Sequence, residues 1–348
     1  MNINFCTDSD KDFAKKIWRE CFPRDSAAFI DFYFDNVHSG NNSLILKDNN
    51  GTPCSYMGMP QYEMRFCGHQ VKTVYLSGIS TLSEHRGKGY MTAMMSQALE
   101  TMYQRGVLIS VLIPADAGLY TRYGYAYCYF HSHQNLSGDG KENDAVRVNG
   151  DTDFDGIYES CMSGLNGCIK RTPRDWYNII NEHKLVEGKI YTTDNAYAFA
   201  GIYGDRTVVK EMCCVNEEER QKMISHILYH HKSARFVLPL DKTLNIKPFA
   251  QARIINAMEI LKIISKGKRF TITICDGYIE QNNRTFRADN QIITECDGEG
   301  QACMDIYTFT LLCFGAVNPQ KARLCGLFEG DIDGIFEERT NYINLMLN

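Results

Sequence analysis

The chain has 348 residues, 44% hydrophobic and 23% charged, with 8 prolines and a formal net charge of −5. That length predicts two or three domains, and the composition is globular, which excludes a long disordered tail. The acidic balance argues against the basic stripe of a nucleic-acid binder, and no apolar run approaches the roughly 20 residues needed to span a bilayer. The opening Met1-Asn2-Ile3-Asn4-Phe5 has no basic segment followed by an apolar one, so no secretory signal is read. The 14 cysteines are scattered, often inside apolar runs such as Leu312-Cys313-Phe314, and contain no Cys-x-x-Cys pair. They are expected to be reduced thiols in a cytoplasmic protein.

In chain order, Asp8 or Ser9 is expected to cap a helix carrying Phe13, Ile17 and Cys21 on one face. An aromatic helix with Phe29, Phe32, Tyr33 and Phe34 follows. Strands are expected over 43–47 and 54–59, with one long strand over 70–82. Met91, Met94, Met95, Ala98, Leu99 and Met102 recur at the 3.6 period and predict an amphipathic helix that Gly106 stops. The apolar run 107–113 then reads as a buried strand, and strand–helix–strand implies a parallel or mixed sheet. A polar segment over 138–144 reads as a linker. Beyond it the same order recurs, with strands over 190–193, 196–203 and 207–214, a helix over 216–231 and a strand over 234–240. The last stretch is expected to open on a helix bearing Ile254, Met258 and Leu261 and to continue as α+β, with a helix around 305–314.

The informative constellation is Ile79-Ser80-Thr81-Leu82-Ser83-Glu84-His85-Arg86-Gly87-Lys88-Gly89-Tyr90-Met91-Thr92. A strand ends and Arg-Gly-Lys-Gly opens the Met-rich helix. A helix N-terminus has unpaired N–H groups and a partial positive charge, so it can grip a pyrophosphate. Gly87 and Gly89 let backbone approach the phosphates, while Arg86 and Lys88 add charge. A Walker loop fits worse because Gly89 follows Lys88, and a dinucleotide fingerprint fits worse because Thr92 replaces the third glycine.

The segment Ala115-Asp116-Ala117-Gly118-Leu119-Tyr120-Thr121-Arg122-Tyr123-Gly124-Tyr125 follows the next strand. Taken with the glycine turn, it resembles the GCN5-related N-acetyltransferase (GNAT) fold. Over the whole chain the resemblance is to the enhanced-intracellular-survival acetyltransferase family. It implies an α+β / α/β architecture of tandem GNAT-like lobes, with mixed central sheets and flanking helices, plus a sterol-carrier-like α+β domain. The implied domains are 1–135 catalytic, 136–247 degenerate GNAT-like and 248–348 sterol-carrier-like.

The resemblance further implies acetyl-CoA as acetyl donor, held between splayed strands over 74–82 and 107–113. Ile79, Ser80 and Thr81 form the donor backbone, Arg86 and Gly87 to Thr92 the pyrophosphate turn, and Ala115 and Asp116 a following segment. Tyr120 is the implied proton donor, and the α-carboxylate of Asn348 the implied base. Two departures from the family stand out: Gly87 and Lys88 where consecutive arginines are common, and Ala115 where a small hydroxyl residue is common. The implied acceptor is the primary amine of a small cation, aminoglycoside-like or polyamine, or a protein lysine, with the chain a homo-oligomer.

No metal ligand set is read. His226, His230 and His231 lack the zincin glutamate and are expected at the surface, and His131, His133 and Cys128 are set aside likewise. Tyr123, Tyr125, Tyr127 and Tyr129 are expected to alternate along a strand as packing residues. Phe29, Phe32 and Tyr33 with Asp25, Asp31 and Glu63 could line an acceptor pocket or serve as helix core. The helix opening Asn216-Glu217-Glu218-Glu219 is well capped but repels phosphate, so the second lobe is read as scaffold. A lipid or sterol carrier, or a non-catalytic CoA-binding module, is the rival function.

Overall fold

The computed structural model describes residues 2–116 and 118–345. Two compact units result, one from residues 1–129 and 249–339, the other from 130–248 and 340–348. In the first unit the elements that frame the site run β1 (Asn2–Phe5), α1 (Lys11–Cys21), α2 (Ala27–Asn36), β2 (Ser43–Lys47) and β3 (Pro53–Gly58), then β4 (Gln61–Phe66), β5 (His69–Tyr75), β6 (Ser77–Thr81), α3 (Tyr90–Gln104), β7 (Ile109–Leu112) and α4 (Gly118–Thr121). The sheet order β1-β2-β3-β6 makes β6 an edge strand, while β4, β5, β7 and the strand Asn245–Ile254 follow one another in a second sheet.

Where one strand was expected over 70–82, there are two. β5 pairs in parallel with β7 (Thr73 with Ile109, Tyr75 with Val111), and the Leu76 N–H still donates to Val111 at 2.9 Å. From Ser77 the chain pairs antiparallel with β3 instead, Ser80 opposite Tyr56 and Thr81 opposite Ser55. The change of partner coincides with Gly78, whose φ is +58°. A Cβ there would stand 2.3 Å from the Trp18 ring, so only glycine lets the indole pack against the kink.

Of the face expected on helix α1, Ile17 is buried and Cys21 half-buried, and the apolar stripe is shifted from Phe13 towards Trp18. Ala14, Ile17 and Trp18 are buried, whereas Phe13 is half exposed. Trp18 then gathers the aromatic helix, with Tyr33 at 4.5 Å and Phe34 at 5.8 Å between ring centroids. The Met-rich helix forms as its periodicity predicts. Met94, Met95, Ala98, Leu99 and Met102 share a core with Leu44, Leu46, Val74 and Leu112, and Gly106 follows it in the left-handed region.

The last part of this unit is a five-stranded sheet running Ile292–Glu295, Arg284–Asp289, Arg269–Cys275, Ala302–Asp305, Phe328–Gly330. Ile254 ends a strand rather than opening a helix, since Asn256 caps the helix Ala257–Ile264. Arg253, on that strand, is fully buried against Asp276, with both carboxylate oxygens within 2.8 Å of its Nη2. Its other terminal nitrogen donates to the Tyr123 carbonyl, and Asn282 donates to the same carboxylate.

The second unit repeats the motif. Lys189–Thr192, Ala196–Tyr203 and Arg206–Cys214 form a meander, the helix Glu217–His231 follows, and Ser233–Leu238 returns parallel to Arg206–Cys214. Asn216 caps the helix by accepting from the Glu219 N–H at 2.9 Å. Two further helices, Phe154–Met162 and Pro173–Leu185, were not expected. His226 is buried rather than at the surface, its Nδ1 accepting from the Asn143 N–H and its Nε2 lying 3.1 Å from that of His230. Arg171 binds Glu211 bidentately at 2.7 and 2.8 Å with both side chains buried. The fourteen cysteines are free thiols, and among the described residues no helix is long and apolar enough to cross a membrane.

Removing one partner of a buried ion pair strands the other charge, at a cost of about 3–5 kcal/mol. Asp276→Ala is therefore expected to lower the unfolding free energy by that amount, read from equilibrium urea unfolding. A second expectation concerns acid. Burial pushes the imidazoles of His38 and His131 down to about 4, while an unfolded histidine titrates near about 6.5. Between those values the unfolded chain holds more protons, so stability falls as pH drops from about 6.5 towards about 4. Unfolding midpoints at about pH 7.5 and about pH 5 check this, and His131→Gln should flatten the difference.

Candidate active site

The departure of β6 from β7 opens a cavity of about 650 Å³, within the usual range for small-molecule sites. Of the residues the sequence singled out, Ile79, Ser80, Thr81, Arg86, Gly87, Gly89, Tyr90, Met91, Thr92 and Tyr120 line it together. Because β6 is an edge strand, its second row of backbone groups is available to a ligand's amides. Thr81 is partly engaged, its carbonyl accepting from Arg86 Nε at 3.1 Å and from the Cys21 thiol at 3.4 Å.

Both turn glycines have left-handed backbone, Gly87 at φ +74° and Gly89 at +78°, and a Cβ at either would meet open space. Their requirement is conformational, and the space above them is where a phosphate can approach. Gly89 is the N-cap of α3 and offers no side-chain cap. The helix therefore presents its first N–H groups to the cavity with its dipole behind them.

Tyr120 is buried in the short helix α4, edge-on to Tyr125 at 6.3 Å. Its hydroxyl makes no hydrogen bond among the described residues, and burial pushes the phenol up to about 12, with smaller contributions from Tyr123 and Asp116. A phenol so placed stays protonated and can serve as an acid rather than a base. Tyr123 and Tyr125 are packing residues, but they precede the strand Ala126–Ser137 rather than alternating along it. Tyr125 donates to Ser110 Oγ at 2.7 Å. The Tyr123 hydroxyl sits 3.0 Å from Thr92 Oγ1 and accepts from Arg122 at 2.7 Å, linking the start of α3 to the Tyr120 turn.

Three expected residues lie outside the cavity lining. The Asp116 carboxylate turns back to accept from the Gly118 N–H at 2.9 Å, so it shapes the turn before Tyr120. Ala115 sits exposed beside it, and Lys88 is exposed on the glycine turn. Asn348 lies outside the described residues.

The cavity also includes residues the sequence reading missed: Cys21, Phe22, His85, Leu119 and Arg122. The first two come from the end of α1, sixty residues before the motif, with no local signal. Arg122 stood inside the quoted tyrosine segment, and its charge was the available clue. The acids considered for an acceptor are engaged elsewhere. Asp25 accepts from the Trp18 indole at 2.7 Å, Asp31 pairs with Lys15 and Arg19, and Tyr33 is core, its hydroxyl 2.7 Å from Ser77 Oγ.

Residues 2–128 match the family described as acetyltransferase (GNAT) domain. Over that stretch the chain is similar to a GNAT acetyltransferase domain. Residues 252–344 match the sterol carrier protein domain. Eis1 from Mycobacterium abscessus superposes with a TM-score of 0.80 at 14% identity, covering 99% of each chain. A GCN5-related N-acetyltransferase from Anabaena variabilis gives 0.81 at 15%, covering 98% of each. At such identities the likeness is one of fold. An uncharacterized N-acetyltransferase of Streptomyces avermitilis is 31% identical over 78 residues, 22% of this chain and 19% of that protein. The match thus spans about a fifth of that relative.

Because an L residue in the left-handed region costs about 1–2 kcal/mol, Gly89→Ala is expected to lower unfolding stability by that amount. Equilibrium urea titration checks it, and an unchanged midpoint would mean the turn does not need this backbone.

Proposed function

We propose that the chain transfers an acetyl group from acetyl-CoA to a primary amine. The observation that carries this reading is the single cavity that an edge strand, an uncapped helix N-terminus and a buried, unpartnered tyrosine hydroxyl share. In this reading the pyrophosphate of the donor lies at the start of α3, near Arg86 and Arg122, and β6 hydrogen-bonds the pantetheine amides. The amine nitrogen attacks the thioester carbonyl, the C–S bond breaks, and the departing sulfur takes its proton from Tyr120. The attacking amine gives up a proton in turn, which this reading assigns to the α-carboxylate of Asn348 and from there to solvent, and Tyr120 recovers its own proton from solvent. Asn348 lies outside the described residues.

The acceptor is a small cation, aminoglycoside-like or polyamine, or a protein lysine, and the net charge of −5 suits cationic acceptors. We read 1–135 as catalytic, 136–247 as scaffold and 248–348 as a positioning domain, in a cytoplasmic homo-oligomer. The scaffold assignment is supported by Glu217, Glu218 and Glu219 at the helix start where a phosphate would otherwise sit.

The test is amine-dependent thiol release from acetyl-CoA across a panel of amines. Tyr120→Phe is expected to lower kcat at least tenfold with KM for acetyl-CoA nearly unchanged, and Arg86→Gln to raise that KM. Since Tyr120 keeps its proton to about 12, kcat/KM for the amine should climb with pH towards the amine's own pKa of about 10 and show no fall before it. No release with any amine, alongside tight binding of a fluorescent fatty acid, would reject transfer and favour a carrier.

A further inference from the structure

The turn that leads into the glycine motif carries a second constellation. The Asp48 carboxylate, the Cys54 thiol and a ring nitrogen of His85 all lie within 4.8 Å of one another. They come from separate places: the end of β2, the start of β3, and the turn Ser83–His85 between β6 and α3. Cys54 is fully buried. His85 Nδ1 is shielded from solvent and has no hydrogen-bond partner, which is costly for an imidazole unless something else takes its lone pair or proton.

Backbone bonds already hold the three in place. The Asp48 N–H donates to the Thr52 carbonyl at 2.9 Å, the Leu82 N–H to Cys54 at 3.0 Å, and the His85 N–H to Leu82 at 2.9 Å. Asp48 Oδ1 accepts from the N–H groups of Asn50 and Thr52, both at 2.9 Å, which fixes the carboxylate's orientation. The Cys54 thiol donates to the Thr52 carbonyl at 3.1 Å, a bond it would give up with its proton, while the Asp48 backbone N–H favours its thiolate.

We propose that Asp48, Cys54 and His85 form a binding site for a zinc-class divalent cation. One thiolate, one imidazole and one carboxylate are the mixed donor set that zinc accepts in four-coordinate sites, leaving the fourth position to water. Metal–ligand bonds of about 2.0–2.3 Å set tetrahedral donors about 3.3–3.6 Å apart, so closure needs roughly 1 Å of side-chain movement. Binding replaces the Cys54 proton, which leaves to solvent, and takes a lone pair of the His85 ring. Lys88 brings a positive charge, like the cation's, near Asp48, but it is exposed and the Glu84 carboxylate near Cys54 offsets it. An occupied site ties the β2–β3 loop to the turn entering α3. Metal would then stiffen the glycine motif from behind, whatever ligand the cavity takes.

The probe is cobalt(II), titrated into the full chain with no CoA present. One equivalent is expected to raise a thiolate-to-cobalt charge-transfer band in the near ultraviolet, which zinc then displaces. Cys54→Ala should abolish the band, and His85→Ala should weaken cobalt binding at least tenfold. His85 sits on a surface turn, so this variant remains informative if Cys54→Ala folds poorly. No band at roughly millimolar cobalt, or a band that survives at full strength in either variant, overturns the site. None of these readouts depends on acetyl transfer.

Discussion

Strand β5 hydrogen-bonds to β7 as far as Leu76, and from Ser77 the chain pairs with β3 instead. A continuous sheet would have used both rows of backbone groups on this stretch and left no room beside them. The switch leaves β6 at an edge with the cavity alongside. It rests on a local exchange, since the bonds lost to β7 are regained on β3 and Trp18 covers the kink where Gly78 has no side chain. Backbone hydrogen bonding is nearly complete on one side and withheld on the other, which is how a fold can reserve polar groups for a ligand without a large penalty.

The two ends of the cavity have opposite electrostatic character. At the α3 end, an uncapped helix start meets Arg86 and Arg122, a setting for anions. At the α4 end, burial of the Tyr120 ring disfavours the charged form of its phenol, so the proton is retained. The Tyr123 hydroxyl spans the two by contacting Thr92 and Arg122. A ligand that orders the start of α3 therefore acts on a turn directly joined to Tyr120.

Local features were legible in the sequence and long-range ones were not. The Met-rich helix was readable because its apolar spacing, its opening glycines and Gly106 all agree. The glycine turn and Tyr120 could be placed in one site because a strand–helix–strand unit brings its loops to one end. The break at Leu76 was invisible because residues 70–82 are uniformly strand-like, and the choice between β3 and β7 as partner is set by residues far away in sequence. The same reason hid Cys21 and Phe22. Asp25 and Asp31 suggested a cation site, but their partners Trp18, Lys15 and Arg19 sit a few turns away on a packed helix. Phe13 was assigned to the wrong face because Trp18, the larger ring, sets which side of α1 turns inward.

The second unit is not contiguous in sequence. Glu211 takes Arg171, Tyr197 and Tyr342, Arg171 also donates to the Asn344 carbonyl at 2.9 Å, and His131 Nε2 donates to that of Ile343 at 3.0 Å. Asn166 and Asn341 bridge in parallel and share a side-chain hydrogen bond of 2.7 Å. Residues 249–339, which belong to the other unit, come between. During synthesis the ribosome must therefore release that whole stretch before the second unit's buried charges receive their last partners. Until then the nascent chain carries an unfinished polar core, a period in which a chaperone's protection matters most.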